Sequence, residues 1–348
     1  MRPVSRALLA LSLVIPGVGP AENRDSPLTS CATCHEEQSS SQPQTPMARA
    51  MWRPETDPAF QKKAAFTFSR DGYQWRVERH GASVTYAVSH GKETAVLPVH
   101  WIFGDSTQTY VLEVDHRFYE SRVSYFAPID GLDITPGDET DRLLNLGEAI
   151  GRELHPRELQ ACFGCHSTGA VVDGELEIAS SSPGLQCVHC HTGVEQHQYD
   201  IARGKLASIP PKLGHMATED VSDFCGQCHR TWGEVVRRRA FGLADVRFQP
   251  YRLAKSRCYD GSDPRISCIA CHDPHVDVIT NDATYESKCL ACHAATANGG
   301  AARAKTCPVS PTTGCIGCHM PKTNLPPTHR AWTDHYIRVV KAGEAFPE

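Results

Sequence analysis

Two cysteines three positions apart, followed at once by a histidine, stand in "ACFGCHSTG", residues 161–169. The pattern is Cys162-Phe-Gly-Cys165-His166, and it recurs six more times. The other copies are Cys31-Ala-Thr-Cys34-His35, Cys187-Val-His-Cys190-His191, Cys225-Gly-Gln-Cys228-His229, Cys268-Ile-Ala-Cys271-His272, Cys289-Leu-Ala-Cys292-His293 and Cys315-Ile-Gly-Cys318-His319. Together they use 14 of the 16 cysteines, so a single chemistry accounts for nearly all the sulfur. A disulfide framework has no reason to repeat the histidine. Zinc sites use Cys-x-x-Cys pairs, usually two per metal, and do not require histidine after each. Covalent attachment of c-type haem requires this arrangement. Two thiols one short turn apart add to the two vinyl groups of one porphyrin, and the adjacent imidazole lies under the iron as its proximal ligand. The seven copies therefore predict seven covalently held haems, with iron bound by His35, His166, His191, His229, His272, His293 and His319.

A second axial ligand decides what such an iron does. Electron-transfer haems fill that position with His or Met, and catalytic haems leave it open. Of 18 histidines, seven belong to motifs and eleven remain. His275 follows His272 by three residues in Cys-His-Asp-Pro-His, where Pro274 stiffens the turn and aims His275 at a neighbouring haem. His197 lies six residues past the third motif, and His335 sits beside Asp334. These three are the foremost distal candidates, with His155 and His215 after them. His329 and His189 rank lower, and His80, His90, His100 and His116 read as surface residues of a sheet. Met47 and Met51 fall in Thr-Pro-Met-Ala-Arg-Ala-Met soon after the first motif. A thioether from Met47 would raise that haem's potential relative to two imidazoles, whereas a methionine can equally fill a core gap. Cys258 and Cys307 are left over, and an even remainder in an exported chain suggests a disulfide.

The elements that must position these groups differ along the chain. The first motif stands alone, and the other six crowd residues 162–319. Between them, residues 64–126 alternate apolar and polar (Phe66-Thr-Phe68, Tyr73-Gln-Trp75-Arg-Val77, Val84-Thr-Tyr86-Ala-Val88) with turn residues such as Asp71-Gly72 between runs. This predicts a small antiparallel sheet of five or six strands, a structural insert more than a substrate-binding module. Residues 127–140 read as a linker. Helical spacing predicts helices over 141–161, over Val221–Phe241 and over Thr333–Lys341. The expected division is a signal peptide at 1–21, an N-terminal haem segment at 22–60, a β insert at 61–130 and a six-haem domain at 131–348.

Arg2 and Arg6, the apolar run Ala7–Ile15 and the small residues Gly19-Pro20-Ala21 predict a secretory signal peptide. No other stretch has the roughly 20 apolar residues of a membrane span. An exported chain, periplasmic or extracellular, with no integral membrane segment after signal cleavage is expected. The aromatic share of 7% is thin for 348 residues, a shortfall that large apolar macrocycles would make good. A formal charge of −5 without a basic stripe argues against nucleic acid and favours redox partner proteins with basic docking faces.

Several segments also resemble a known family. Thr45-Pro-Met-Ala-Arg-Ala50, Cys187-Val-His-Cys-His-Thr-Gly through His197, Cys268-Ile-Ala-Cys-His-Asp-Pro-His275, and Cys315-Ile-Gly-Cys-His-Met-Pro321 followed by Thr333-Asp-His335 are similar to the exported multihaem cytochromes c. The superfamily is that of hydroxylamine oxidoreductase, its tetrahaem electron acceptor and pentahaem nitrite reductase, and the nearest likeness is to the cytochrome c-552/4 type domain family. The resemblance implies a mainly α fold with much irregular structure, wrapped round stacked haems, with little strand outside the small β-sheet insert. It implies electron transfer along a chain of mostly six-coordinate haems. The alternative is a reductase or oxidase of a small nitrogen or sulfur compound at one open haem. The Cys-x-x-Cys-Lys that marks the catalytic haem in pentahaem nitrite reductases does not occur here.

Overall fold

The structure is a computed structural model that describes residues 30–139, 142–205, 212–263, 265–294 and 304–347. The predicted signal peptide lies outside the described residues. About 36% of the described residues are helical and about 25% are strand. The fold is therefore not mainly α. A large, nearly closed antiparallel sheet replaces the small insert that was expected, and the rest of the described chain is short helices and loops.

The nine strands of this sheet run in chain order: β1 (Met51–Trp52), β2 (Ala65–Arg70), β3 (Tyr73–His80), β4 (Ser83–His90), β5 (Glu93–Phe103), β6 (Thr107–Val114), β7 (Arg117–Phe126), β8 (Gly131–Ile134) and β9 (Gly151–Glu153). Strands β2 to β8 form a meander in sequence order, while β1 pairs with β5 and β9 with β7. The end strands β2 and β8 come together, which nearly closes the sheet. Alternation drives it. Tyr73, Trp75 and Val77 are buried while Gln74 and Arg76 face out, and Val84, Tyr86 and Val88 repeat the pattern across the register Val77↔Tyr86. Asp71 and Gly72 both take positive φ (52° and 84°), the geometry that a two-residue hairpin turn demands. The interior is filled by Phe60, Phe66, Trp75, Tyr86, Tyr110, Leu112, Val123 and Tyr125, and the Trp75 indole N–H donates to the Ala149 carbonyl at 2.8 Å. This is a packed core.

Six strands fall within 64–126, as the alternation predicts. Three more, β1, β8 and β9, recruit flanking segments; β8 lies in what reads from sequence as a linker. The expected helix over 141–161 is two pieces, Leu146–Ile150 and Pro156–His166, with β9 between them. The expected helix over Val221–Phe241 is likewise two, Thr218–His229 and Trp232–Arg238. They are broken at Arg230 (φ 60°), where Thr231 folds so tightly against Gly226 that a Cβ there would lie 2.1 Å from its methyl. Residues 333–341 are not helical. Beyond Thr333 they follow, without regular secondary structure, from a hairpin pairing Lys322–Leu325 with Arg330–Thr333.

A second apolar cluster attaches the motif-bearing part to the sheet. Met51, Trp101 and Phe103 meet Leu154, Leu159 and Phe163, and the Phe163 ring stands edge-on to Trp101 (5.1 Å) and Phe103 (5.2 Å). Phe163 lies inside the second motif, so burying it fixes that motif against the sheet. The N-terminal segment is clamped in the same place. Leu185 N–H donates to the Met47 carbonyl (3.0 Å), and Gln42 Nε2 donates to the Leu185 carbonyl (2.7 Å). Gly184 has φ 71°, and a Cβ there would lie 1.8 Å from the Ala48 carbonyl oxygen. Gly184→Ala should therefore destabilise the fold by about 2–5 kcal/mol, combining the left-handed backbone cost with overpacking. Denaturant unfolding checks this.

Candidate haem-binding site

Each motif is wound into a helical turn. The second, fourth, sixth and seventh close the helices Pro156–His166, Thr218–His229, Asp282–His293 and Cys315–His319. The third and fifth form single turns, Cys187–Cys190 and Cys268–Cys271, and the first is a tighter turn, Cys31–Thr33. The histidine N–H returns to the carbonyl of the first cysteine in three of these: His35 to Cys31 (2.8 Å), His191 to Cys187 (2.9 Å) and His272 to Cys268 (2.8 Å). Residues three apart on a helix share a face, so the two thiols of a motif stand side by side with the imidazole next to them.

Three motif imidazoles are anchored through one ring nitrogen. His166 Nδ1 bonds the Ala50 carbonyl (2.7 Å), His293 Nδ1 the Lys305 carbonyl (2.8 Å) and His319 Nδ1 the Arg338 carbonyl (2.7 Å). A carbonyl accepts, so each Nδ1 carries the proton and each Nε2 lone pair is left for a metal. Two further candidates are tied in the same manner: His335 Nδ1 to the Thr333 carbonyl (3.0 Å) and His275 Nδ1 to Asp273 Oδ1 (2.9 Å). Burial lowers the pKa of His166 and His229, and pushes that of His335 down to about 4, which keeps the rings neutral as ligation requires.

Two ring pairs stand out. His191 and His275 have centroids 6.0 Å apart and ring planes 10° apart. His272 and His335 are 6.2 Å and 37° apart. An imidazole nitrogen binds a first-row transition metal at about 2 Å and its ring centre lies about 1 Å behind, so two imidazoles on one iron stand about 6 Å apart. Each pair joins a motif histidine to a histidine outside the motifs. Among the described residues no three His, Cys, Asp or Glu side chains converge on one metal position. Paired imidazoles beside paired thiols match the donor set of a c-type haem.

The motifs touch in series. Helix Pro156–His166 packs on Thr218–His229, which packs on Cys268–Cys271; that turn packs on Asp282–His293, which packs on Cys315–His319. Cys165 Sγ lies 3.7 Å from the Gln227 carbonyl. Hydrogen bonding to Cys268, then burial, pushes the Cys225 thiol up, and Cys165 acts likewise on Cys228. Cys271 neighbours Cys289, which neighbours Cys315. On the other side Cys190 neighbours Cys225, and Cys31 neighbours Cys187. Cys31 and Cys187 share a cleft of about 520 Å³ with Ala32, Pro43, Val188 and Val194. Trp232, Phe241 and Val188 are exposed apolar side chains near motifs, surface that a macrocycle would cover.

The other candidates are placed differently. His155 is exposed and caps helix Pro156–His166: its Nδ1 accepts from Arg157 N–H (3.3 Å), and Glu158 accepts from the His155 N–H (2.9 Å). His215 is exposed in a short turn, and His197 is half-buried on helix Val194–Ala202. Met47 is half-buried in the clamped N-terminal segment, and Met51 is buried against the sheet. His329 pairs through Nε2 with Asp133 Oδ2 (2.9 Å), docking the C-terminal hairpin on β8. Cys258 and Cys307 are both free thiols. The expected disulfide between them is therefore absent from this structure. The carbonyl anchors at Ala50, Lys305 and Arg338 escape sequence reading, because any residue can supply a carbonyl.

Among the described residues no helix is long and apolar enough to cross a membrane. Comparison with curated proteins and with solved structures found no match. Residues 140–192, which carry the second and third motifs, match the family model described as Cytochrome c554 and c-prime. That match, over a part of the chain, supports a c-type cytochrome with covalently bound haem c and iron.

Proposed function

We propose that the chain is an exported heptahaem cytochrome c that passes single electrons along its haems. The observation that carries this reading is the contact series of the second, fourth, fifth, sixth and seventh motifs combined with imidazole pairs about 6 Å apart. A bound haem supplies reversible one-electron exchange at iron. The chain's part is to hold, space and bury each group. The two thiols of the second motif differ: burial pushes the Cys162 pKa up to about 12, while a hydrogen bond from Cys228 lowers that of Cys165 to about 7. Anchored Nδ1 atoms leave Nε2 available as a ligand. His275 with His191, and His335 with His272, would each hold one iron. Residues 22–60 would carry one haem, 61–130 the scaffold and 131–348 the other six. Redox proteins would be its partners.

Low-temperature EPR of the oxidised protein, with reduced optical spectra before and after carbon monoxide, tests this reading. Low-spin irons that ignore carbon monoxide are expected. A high-spin iron that binds it would favour the alternative, reduction or oxidation of a small nitrogen or sulfur compound. Met47, in the segment that follows the first motif, is a candidate ligand for its haem, and Met47→Ala should then leave one iron high-spin. An unchanged low-spin spectrum would remove Met47 as a ligand.

A further inference from the structure

Outside the motifs, the most heavily built polar cluster surrounds Arg252. Its side chain and those of Asp245 and Asp334 are fully buried. Arg252 Nε and Nη2 donate to both Asp334 carboxylate oxygens at 2.8 Å, and Nη1 donates to Asp245 Oδ1 (3.2 Å) and the Pro347 carbonyl (2.7 Å). Phe346 lies 4.4 Å from the guanidinium, on its ring face. A planar, bidentate pair of this kind fixes direction as well as distance. What it fixes is the strap that follows. Asp334 precedes His335, whose ring faces His272 at 6.2 Å. Ser256, four residues after Arg252, adds two bonds to the same strap: its hydroxyl donates to the His335 carbonyl (3.3 Å) and accepts from Ile337 N–H (2.8 Å). Arg338, also bonded to Asp334 (2.7 Å), presents its carbonyl to His319 Nδ1 (2.7 Å). One strap thus serves the fifth and seventh motifs at once.

We propose that the buried Arg252–Asp334 pair is a positioning latch. It holds His335 as the second axial ligand of the fifth-motif iron. This rests on reading Cys268-Ile-Ala-Cys271-His272 as a haem site. Arg252 touches neither iron; it acts through the strap.

The test compares holo-protein of Arg252→Gln, Asp334→Asn and His335→Ala with the parent, measuring haem content by intact mass, spin state by EPR and carbon monoxide binding. All should carry the parent number of haems. His335→Ala should convert one haem equivalent to a high-spin, carbon monoxide-binding form, and added imidazole should restore it. Arg252→Gln should convert the same haem in a large fraction of molecules, and the double variant Arg252→Gln/His335→Ala should convert no second haem. Where Arg252→Gln is not recovered folded, Asp334→Asn carries the same expectation. Fully low-spin, carbon monoxide-silent Arg252→Gln or Asp334→Asn protein beside a responsive His335→Ala would overturn the latch. So would an unresponsive His335→Ala. A parent protein without covalent haem would instead overturn the functional reading beneath it.

Discussion

Serine at both Cys268 and Cys271 should remove one haem equivalent and cut electron passage along the chain. The fifth motif touches the fourth through Cys225 and Cys268, and the sixth through the neighbouring pair Cys271 and Cys289. It is the link between the two ends of the contact series. Without its haem, electrons must cross the gap between the fourth and sixth motifs in one step, and tunnelling falls steeply with distance. The companion variant, Cys31→Ser/Cys34→Ser, also loses one haem, but at the end where Cys31 meets Cys187. The remaining series stays intact. Stopped-flow reduction of the whole haem complement should be fast in the parent and in the Cys31/Cys34 variant. In the Cys268/Cys271 variant it should split into fast and much slower phases. Equal rates in both variants would show that the haems do not conduct in the order of the contacts.

The second large effect concerns stability. Arg252→Met would strip the buried Asp245 and Asp334 carboxylates of the Arg252 guanidinium, leaving Asp334 with Arg338. Removing one side of a buried pair costs about 3–5 kcal/mol, because the carboxylates stay desolvated after losing their best-placed donor. The loss should show as a lower denaturation midpoint at neutral pH. The pair also sets an acid limit. Burial alone would raise the Asp334 pKa, but hydrogen bonds from Arg252, from the Tyr336 N–H and from Arg338 outweigh it and hold the value below the usual carboxylate range. A carboxylate whose folded pKa is depressed contributes stability above its unfolded value, about 3.9, and loses it as pH falls through the folded value. The parent should therefore soften below about pH 4. Asp334→Asn should lack that part of the acid dependence while being weaker at neutral pH. Parallel pH–stability curves for the two proteins would contradict this account of the cluster.

Much of this was legible in the residues. The seven motifs announce themselves by spacing, because thioether attachment fixes the separation of the thiols. Strands β2 to β4 announce themselves by alternation, Tyr73-Gln-Trp75-Arg-Val77 being the clearest run. The size of the sheet was not legible, since β1, β8 and β9 are two to four residues long, too short to show a period. Their pairing depends on β5 and β7, which reach them only in three dimensions. The C-terminal segment departs from its spacing for a related reason. Residues 333–341 carry helical spacing, but Asp334 is bonded to Arg252, 82 positions away, a tie that no local pattern announces. The imidazole pairs fall between these cases. His275 and His335 could be nominated from their neighbours in sequence. Their opposite numbers, His191 and His272, emerge only when the turns are packed.

The central claim is that these Cys-x-x-Cys-His turns carry covalent haem. Intact mass spectrometry of the denatured, exported protein, read beside its pyridine haemochrome spectrum, tests it most directly. The account predicts seven haem additions that survive denaturation and a c-type haemochrome of matching intensity. A mass equal to that of the polypeptide alone, with 16 titratable thiols or a set of disulfides, would contradict it.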